Sequence, residues 1–167
     1  YHTSRRDEIE LVKSRKNTNY SRLDTIALKL QGGPFSALFS DIVKYPDYIF
    51  TKESFEFYDF SFSTSTEIND RNVYVVNFKQ HENNQVPLYK GNLYIDAETF
   101  ALISADYELN IMNKAEATKL FLKKKPRNVD VETVTAQYKV DYKLSNNKWH
   151  YSYSNLQLAF RVKWAKK

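Results

Sequence analysis

The sequence predicts a mainly β fold of the α+β class: one curved antiparallel sheet of about six or seven strands, half-barrel-like, with two short helices. Three observations carry this. Apolar side chains recur at every second position through most of the chain after Phe55. Short Asn-, Asp- and Ser-rich turns separate those runs, and a 3.6-residue apolar period appears only twice. The 167 residues include Tyr 13, Phe 11 and Trp 2, types that favour half-buried pleated surfaces.

Residues 1–21 are polar and read as a connector, and residues 22–167 as a single antiparallel β domain. The first strand is expected within Leu23 to Leu30. Gly32-Gly33-Pro34 then breaks the chain and starts a helix, because proline is pre-organised for the first helical position. Phe35, Leu38, Phe39 and Ile42 form one face of it, and Tyr45-Pro46 ends it. Tyr58, Phe60 and Phe62 alternate with polar residues and predict a strand over roughly 54–67. Asn69-Asp70-Arg71 turns the chain, and Tyr74, Val76 and Phe78 continue on a second strand.

A polar loop at His81 to Gln85 precedes a third strand. It carries Tyr89, Gly91, Leu93 and Ile95 on one face and Lys90, Asn92 and Tyr94 on the other. Asp96-Ala97-Glu98-Thr99 closes a hairpin whose return strand faces inward through Ala101, Ile103, Ala105, Tyr107 and Leu109. Gly91 is read as the position where an aromatic or helix approaches closely. Asn113, with Glu116 three residues on, is a helix N-cap, and that helix dissolves in Lys123-Lys124-Lys125-Pro126. Val134 to Leu144 alternates strictly, and Ser145-Asn146-Asn147-Lys148 turns into the last strand. There Trp149, Tyr151 and Tyr153 occupy one parity while Leu156, Leu158, Phe160, Val162 and Trp164 occupy the other. A bulge near Ser154-Asn155 is the expected cause.

Composition removes whole classes of chemistry. The chain has no cysteine, which excludes disulfides, thiol catalysis, zinc–thiolate sites and iron–sulfur clusters. No apolar run reaches the roughly 18 residues of a membrane-spanning helix. The chain begins at Tyr1 and is read as a processed protein or a piece of a longer one. The net charge of +5 gathers at Arg5-Arg6, Lys13/Arg15/Lys16, Lys123 to Arg127 and Lys163/Lys166/Lys167, which read as solvated element ends. Because the aromatics occupy the inward parity, nucleic acid is not an expected partner.

His2, His81 and His150 have no metal-ligand spacing, and no serine sits in a nucleophile elbow. Asp96 with Glu98, and Asp130 with Glu132, are the carboxylate pairs with any catalytic spacing, and both fit turn and strand-edge roles. The expectation is a non-catalytic protein without cofactor or metal.

Several phrases resemble a family of Gram-negative envelope proteins. Gln31-Gly32-Gly33-Pro34, Asp41-Ile42-Val43-Lys44 with Pro46-Asp47, and Tyr58-Asp59-Phe60 occur in the family's order. Tyr89-Lys90-Gly91-Asn92-Leu93-Tyr94-Ile95-Asp96, with Thr99 and Leu102, is the most specific part. The chain is similar here to the Bacteroidetes carboxypeptidase-like regulatory-domain proteins of unknown function, in the region after their N-terminal β-sandwich. The resemblance covers most of residues 22–110, implies a periplasmic or outer-membrane-associated setting, and carries over no catalytic residue. The hairpin and long strands also resemble, more distantly, the fold of periplasmic lipoprotein-localisation carriers, which are half-barrels holding acyl chains.

These readings lead to a non-catalytic, envelope-associated binding or scaffold domain that shelters a lipid or apolar peptide. The expected groove residues are Tyr58, Phe60, Tyr74, Leu93, Ile103, Tyr138 and Leu158. A filled aromatic core satisfies the same pattern. The alternative is a structural interaction module linking a regulatory β-sandwich to an outer-membrane protein partner.

Overall fold

The computed structural model describes residues 28–30 and 40–164. The connector over 1–21 and nearly all of the helix expected from Pro34 to Ile42 lie outside that range. Among the described residues nine strands and two α-helices follow in chain order, with a 3-10 turn at Pro46–Tyr48: β1 (Lys29–Leu30), α1 (Lys52–Phe55), β2 (Tyr58–Phe62), β3 (Thr66–Ile68), β4 (Arg71–Gln80), β5 (Tyr89–Asp96), β6 (Leu102–Leu109), α2 (Lys114–Phe121), β7 (Leu122–Lys124), β8 (Val129–Ser145) and β9 (Lys148–Trp164). The main sheet is antiparallel throughout, ordered β2-β4-β5-β6-β8-β9, with β3 also paired to β4. It is a seven-stranded open sheet, not a closed barrel. β1 and β7 form a separate two-stranded ribbon.

Turn chemistry fixes the meander. Asn69 and Asp70 between β3 and β4, and Asn146 and Asn147 between β8 and β9, take positive φ, which Asn and Asp tolerate best among residues with a Cβ. Asn113 Oδ1 accepts from the Glu116 amide at 3.3 Å and so caps α2.

Strand register places Tyr58, Phe78, Tyr107 and Tyr138, with Ala105 and Val140, on one face of the sheet. That face is the core. Phe78, Ala105, Tyr107, Val140 and Ala136 are at most 3% exposed. Ile42, Ile49 and Phe50 of the segment before α1 pack onto it, and so does Ala117 of α2. Burying one such Phe stabilises by about 1.5–3 kcal/mol, so this contiguous cluster dominates the fold's stability. Its aromatic rings interlock: Tyr107 stacks on Tyr138 at 4.8 Å, and Tyr89 meets both edge-on.

Four expectations need correction. The strand expected over 54–67 begins only at Tyr58 and is interrupted after Phe62. Thr51 instead caps the short helix α1, with reciprocal bonds to Ser54. β8 begins at Val129, five positions before the alternation starts, because Val134 is an extra residue between Thr133 and Thr135 that restores a single core face. Ile103 occupies a similar irregularity between Leu102 and Ser104, so it lies buried outside the main cluster. Leu122–Lys124, expected as the frayed end of a helix, pairs with Lys29–Leu30. The bulge in the last strand is present at Ser152, between Tyr153 opposite Asp141 and Tyr151 opposite Tyr142. It brings Trp149 and Tyr151 onto the same face as Leu156 and Leu158, as the parity change requires.

Candidate functional site

Register also defines the opposite face. One row runs across the sheet as Asp59, Lys79, Lys90, Glu108, Gln137 and Gln157, each directly opposite the next. The neighbouring row is Ser61, Asn77, Asn92, Asp106, Lys139 and Asn155. The rows floor a trough of about 530 Å³ that crosses β4, β5, β6, β8 and β9. A shallower depression over Asp59, Ser61, Asn77 and Lys79 continues it to β2.

Four of the trough's five charged side chains pair with one another, and Lys79, opposite Lys90, is the fifth. Lys90 Nζ lies 3.0 Å from Glu108 Oε1, and Lys139 Nζ lies 3.9 Å from Asp106 Oδ1. Gln137 Nε2 donates to the other Glu108 oxygen at 3.2 Å. The Lys90 hydrogen bond, with Gln137 adding to it against some desolvation, holds the Glu108 carboxyl below the usual glutamate range. The Asn77 amide donates to Asn92 Oδ1. Burial, reinforced by Asp106, raises the Tyr94 phenol at the trough's edge. Amides supply both donors and acceptors here, and two ion pairs leave a single net positive charge at Lys79. Such a surface suits a polar ligand with many small donors and acceptors better than a highly charged one.

A second depression, of about 540 Å³, lies at the other side of the β8–β9 hairpin between Asp41, Lys44, Leu102, Trp149, His150 and Tyr151. Asp41 Oδ1 accepts from the Tyr142 hydroxyl at 2.7 Å and from the Lys44 amide at 3.1 Å, which anchors the N-terminal segment to the sheet.

Of the seven expected groove residues, Tyr58, Ile103 and Tyr138 are buried, Leu93 and Leu158 are half-buried, and Phe60 and Tyr74 are about two-fifths exposed. Six share the core face, whereas Ile103 does not. Tyr58 joins the segment before α1 to β5: its hydroxyl donates to Ile49 O at 3.3 Å and accepts from the Tyr89 amide at 3.1 Å. Phe60 stacks on Phe55 at 5.0 Å, and Tyr74 stacks on Phe100 at 6.4 Å. Only Tyr138 borders the trough. The trough residues themselves are the opposite parity of the same strands, which alternation alone assigns to solvent. The available signal was compositional: amides Asn77, Asn92, Gln137, Asn155 and Gln157 sit near the middle of their strands, where lysine and glutamate would suffice for solubility.

The carboxylate pairs take structural positions. Asp130 lies near Lys125, and Glu132 lies between Lys114 and Arg161 at 3.7 and 3.8 Å. Asp96 is fully buried and accepts from Arg71 Nη2 at 3.0 Å, Arg71 Nε, the Thr99 amide and the Thr99 hydroxyl. Glu98 shares the same guanidinium, which also lies 5.8 Å from the centre of the Trp149 ring. Histidine 81 pairs with Asp59 at 3.1 Å, and no group of three potential metal ligands occurs among the described residues.

Arg71 holds the Asp96 carboxyl well below the usual carboxylate range. Because the folded-state value lies below the unfolded one of about 3.9, this carboxylate's stabilisation is complete above that pH. It disappears as pH falls toward the folded-state value. Asp96→Asn is expected to lower the thermal midpoint at pH 7 by roughly 4–8 °C. It should also flatten the loss of stability between about pH 5 and 3. Melting curves over that range decide the point: an acid limb as steep as the parent's would show that Asp96 does not govern it.

No family model, curated protein or solved structure matches the chain.

Proposed function

We propose that the chain is a non-catalytic binding module whose ligand lies in the polar trough. The observation that carries this is the trough itself: about 530 Å³, within the range of small-molecule sites, on a sheet face that in an ordinary two-layer domain only meets water. Its side chains stand at fixed strand positions, so the site is pre-formed, and binding needs little ordering. The ligand expected there is extended, polar and of low charge density. The envelope setting rests on the sequence resemblance alone.

This moves the ligand away from the lipid or apolar peptide that the aromatic parity suggests, since most of those aromatics pack against Ile49, Phe50 and each other. Native mass spectrometry of the protein purified from a Gram-negative host separates the two. A water-soluble added mass, absent from an Asn92→Ala/Gln137→Ala double variant, is the expected result. A fatty acid or phospholipid released by organic extraction would overturn the trough as the site. The structural interaction module is a second reading, supported by the long outer strand β9, and a partner protein retained through that strand by a chain carrying no small ligand would favour it.

A further inference from the structure

We infer that the trough takes a β-linked oligosaccharide of about four pyranose units, laid across the strands of the sheet. The inference rests on the trough being the ligand site and adds the class of ligand. Each strand beneath the trough gives one polar side chain to each of its two rows, from Lys79 and Asn77 on β4 to Gln157 and Asn155 on β9. Neighbouring strands stand about 4.7–4.9 Å apart, so hydrogen-bonding groups recur at that step along about 19 Å of floor. Carboxylates accept, lysines donate, and the amides of Asn92, Gln137, Asn155 and Gln157 do both.

That step selects among polar chains. An extended peptide points alternate side chains to opposite sides, so those facing the floor recur only every 6.6–6.8 Å or about that, out of step with the strands. A β-linked chain of pyranose rings advances one ring at close to the strand spacing and brings hydroxyls, each both donor and acceptor, at every ring. A polyanion meets Asp106 and Glu108 in the floor, where two ion pairs leave one net positive charge, at Lys79. An acyl chain finds no apolar side chain in either row. One long side of the trough also suits a sugar. In the next row Tyr94 follows Asn92 on β5 and Tyr153 follows Asn155 on β9, and Tyr153 is 48% exposed. A phenol offers an apolar face to the C–H groups of a sugar ring and a polar tip to its hydroxyls.

Isothermal titration calorimetry with β-linked glucose, N-acetylglucosamine, mannose and xylose oligosaccharides, from dimers to hexamers, tests this. At least one series is expected to bind, each unit up to the fourth tightening by about 2- to 10-fold and later units by less than about 2-fold. Asn155→Ala/Gln157→Ala removes one strand's side chains from both rows. It should weaken the tetramer to about the affinity of the trimer and leave the thermal midpoint unchanged. Binding that this variant does not alter, or affinity that keeps rising past the fourth unit, would overturn the inference. So would a serine–glycine peptide of matching length that binds as tightly as the tetramer. Absence of binding in every series at about 1 mM overturns the oligosaccharide whatever the purified protein carries. In that event a water-soluble adduct that is not a sugar leaves the trough standing as the site, and a released fatty acid or phospholipid removes both.

Discussion

Gly91→Ala is expected to remove a large part of the fold's stability, by about 3 kcal/mol or more and roughly 6–12 °C in thermal midpoint. Ordinary reasoning predicts the opposite sign, because alanine in a strand interior gains roughly 0.5–1 kcal/mol over glycine. The geometry reverses it. A Cβ on Gly91 would lie 2.2 Å from the Asp106 carbonyl oxygen, 2.6 Å from Tyr107 Cα and 2.7 Å from Tyr107 Cβ. Two of those three are backbone atoms, so no rotamer change relieves the contact. β5 and β6 would have to separate, in the middle of the sheet and under the stacked rings of Tyr107 and Tyr138. Since typical domains hold only about 5–15 kcal/mol, the loss should show as poor soluble yield or an early melt. Asn92→Ala, one position on and on the other face, is the control and should cost no more than the roughly 0.5–1.5 kcal/mol of its bond from Asn77. Equal midpoints for Gly91→Ala and the parent would show that the two strands are not held as close as this.

The same glycine shows what the sequence makes legible. A lone glycine within strict alternation already implies close approach, and the hairpin from Tyr89 to Leu109 was readable because pattern, turn and parity agree there. Disagreement arose where two signals competed. Phe55 and Phe57 continue the aromatic run of Tyr58, Phe60 and Phe62, yet Thr51 and Ser54 cap a helical turn that the alternation hides. Val134 carries the right residue type for the core but is the extra residue of a bulge, so the true core parity before it is Val129, Val131 and Thr133. Three consecutive lysines mask a strand whose pairing partner lies almost a hundred residues upstream. The trough was not legible for a different reason. Periodicity reports which side chains share a face, and says nothing of how the sheet bends to make that face hollow.

Raising pH above about 10 is expected to unfold the protein in one cooperative step with a concerted rise in tyrosinate absorbance. Burial pushes the phenols of Tyr58, Tyr89, Tyr107, Tyr138 and Tyr142 above their ordinary value, and neighbouring tyrosines add to the shift for Tyr89, Tyr107 and Tyr138. Their folded-state values exceed the unfolded one of about 10, so their contribution is complete below that pH and disappears as pH rises toward the folded-state values. Unfolding then releases protons, and each such tyrosine costs about 1.4 kcal/mol of stability per pH unit above 10. The four with the largest shifts together cost about 5 kcal/mol per unit, enough to exhaust a typical domain's stability within one to three units. A smooth titration of all phenols near pH 10 with secondary structure intact would refute the account. Tyr107 sharpens it, because its hydroxyl is buried without a hydrogen-bond partner among the described residues. That hydroxyl therefore carries a desolvation cost of about 1–3 kcal/mol that no bond offsets. Tyr107→Phe should match or exceed the parent's stability at pH 7 and should lower the steepness of the alkaline transition by roughly a quarter, one of the four phenols being gone. A destabilised Tyr107→Phe would mean that the hydroxyl does bond in solution, with water or a bound polar group, and that the core beside the trough is wetter than its packing implies.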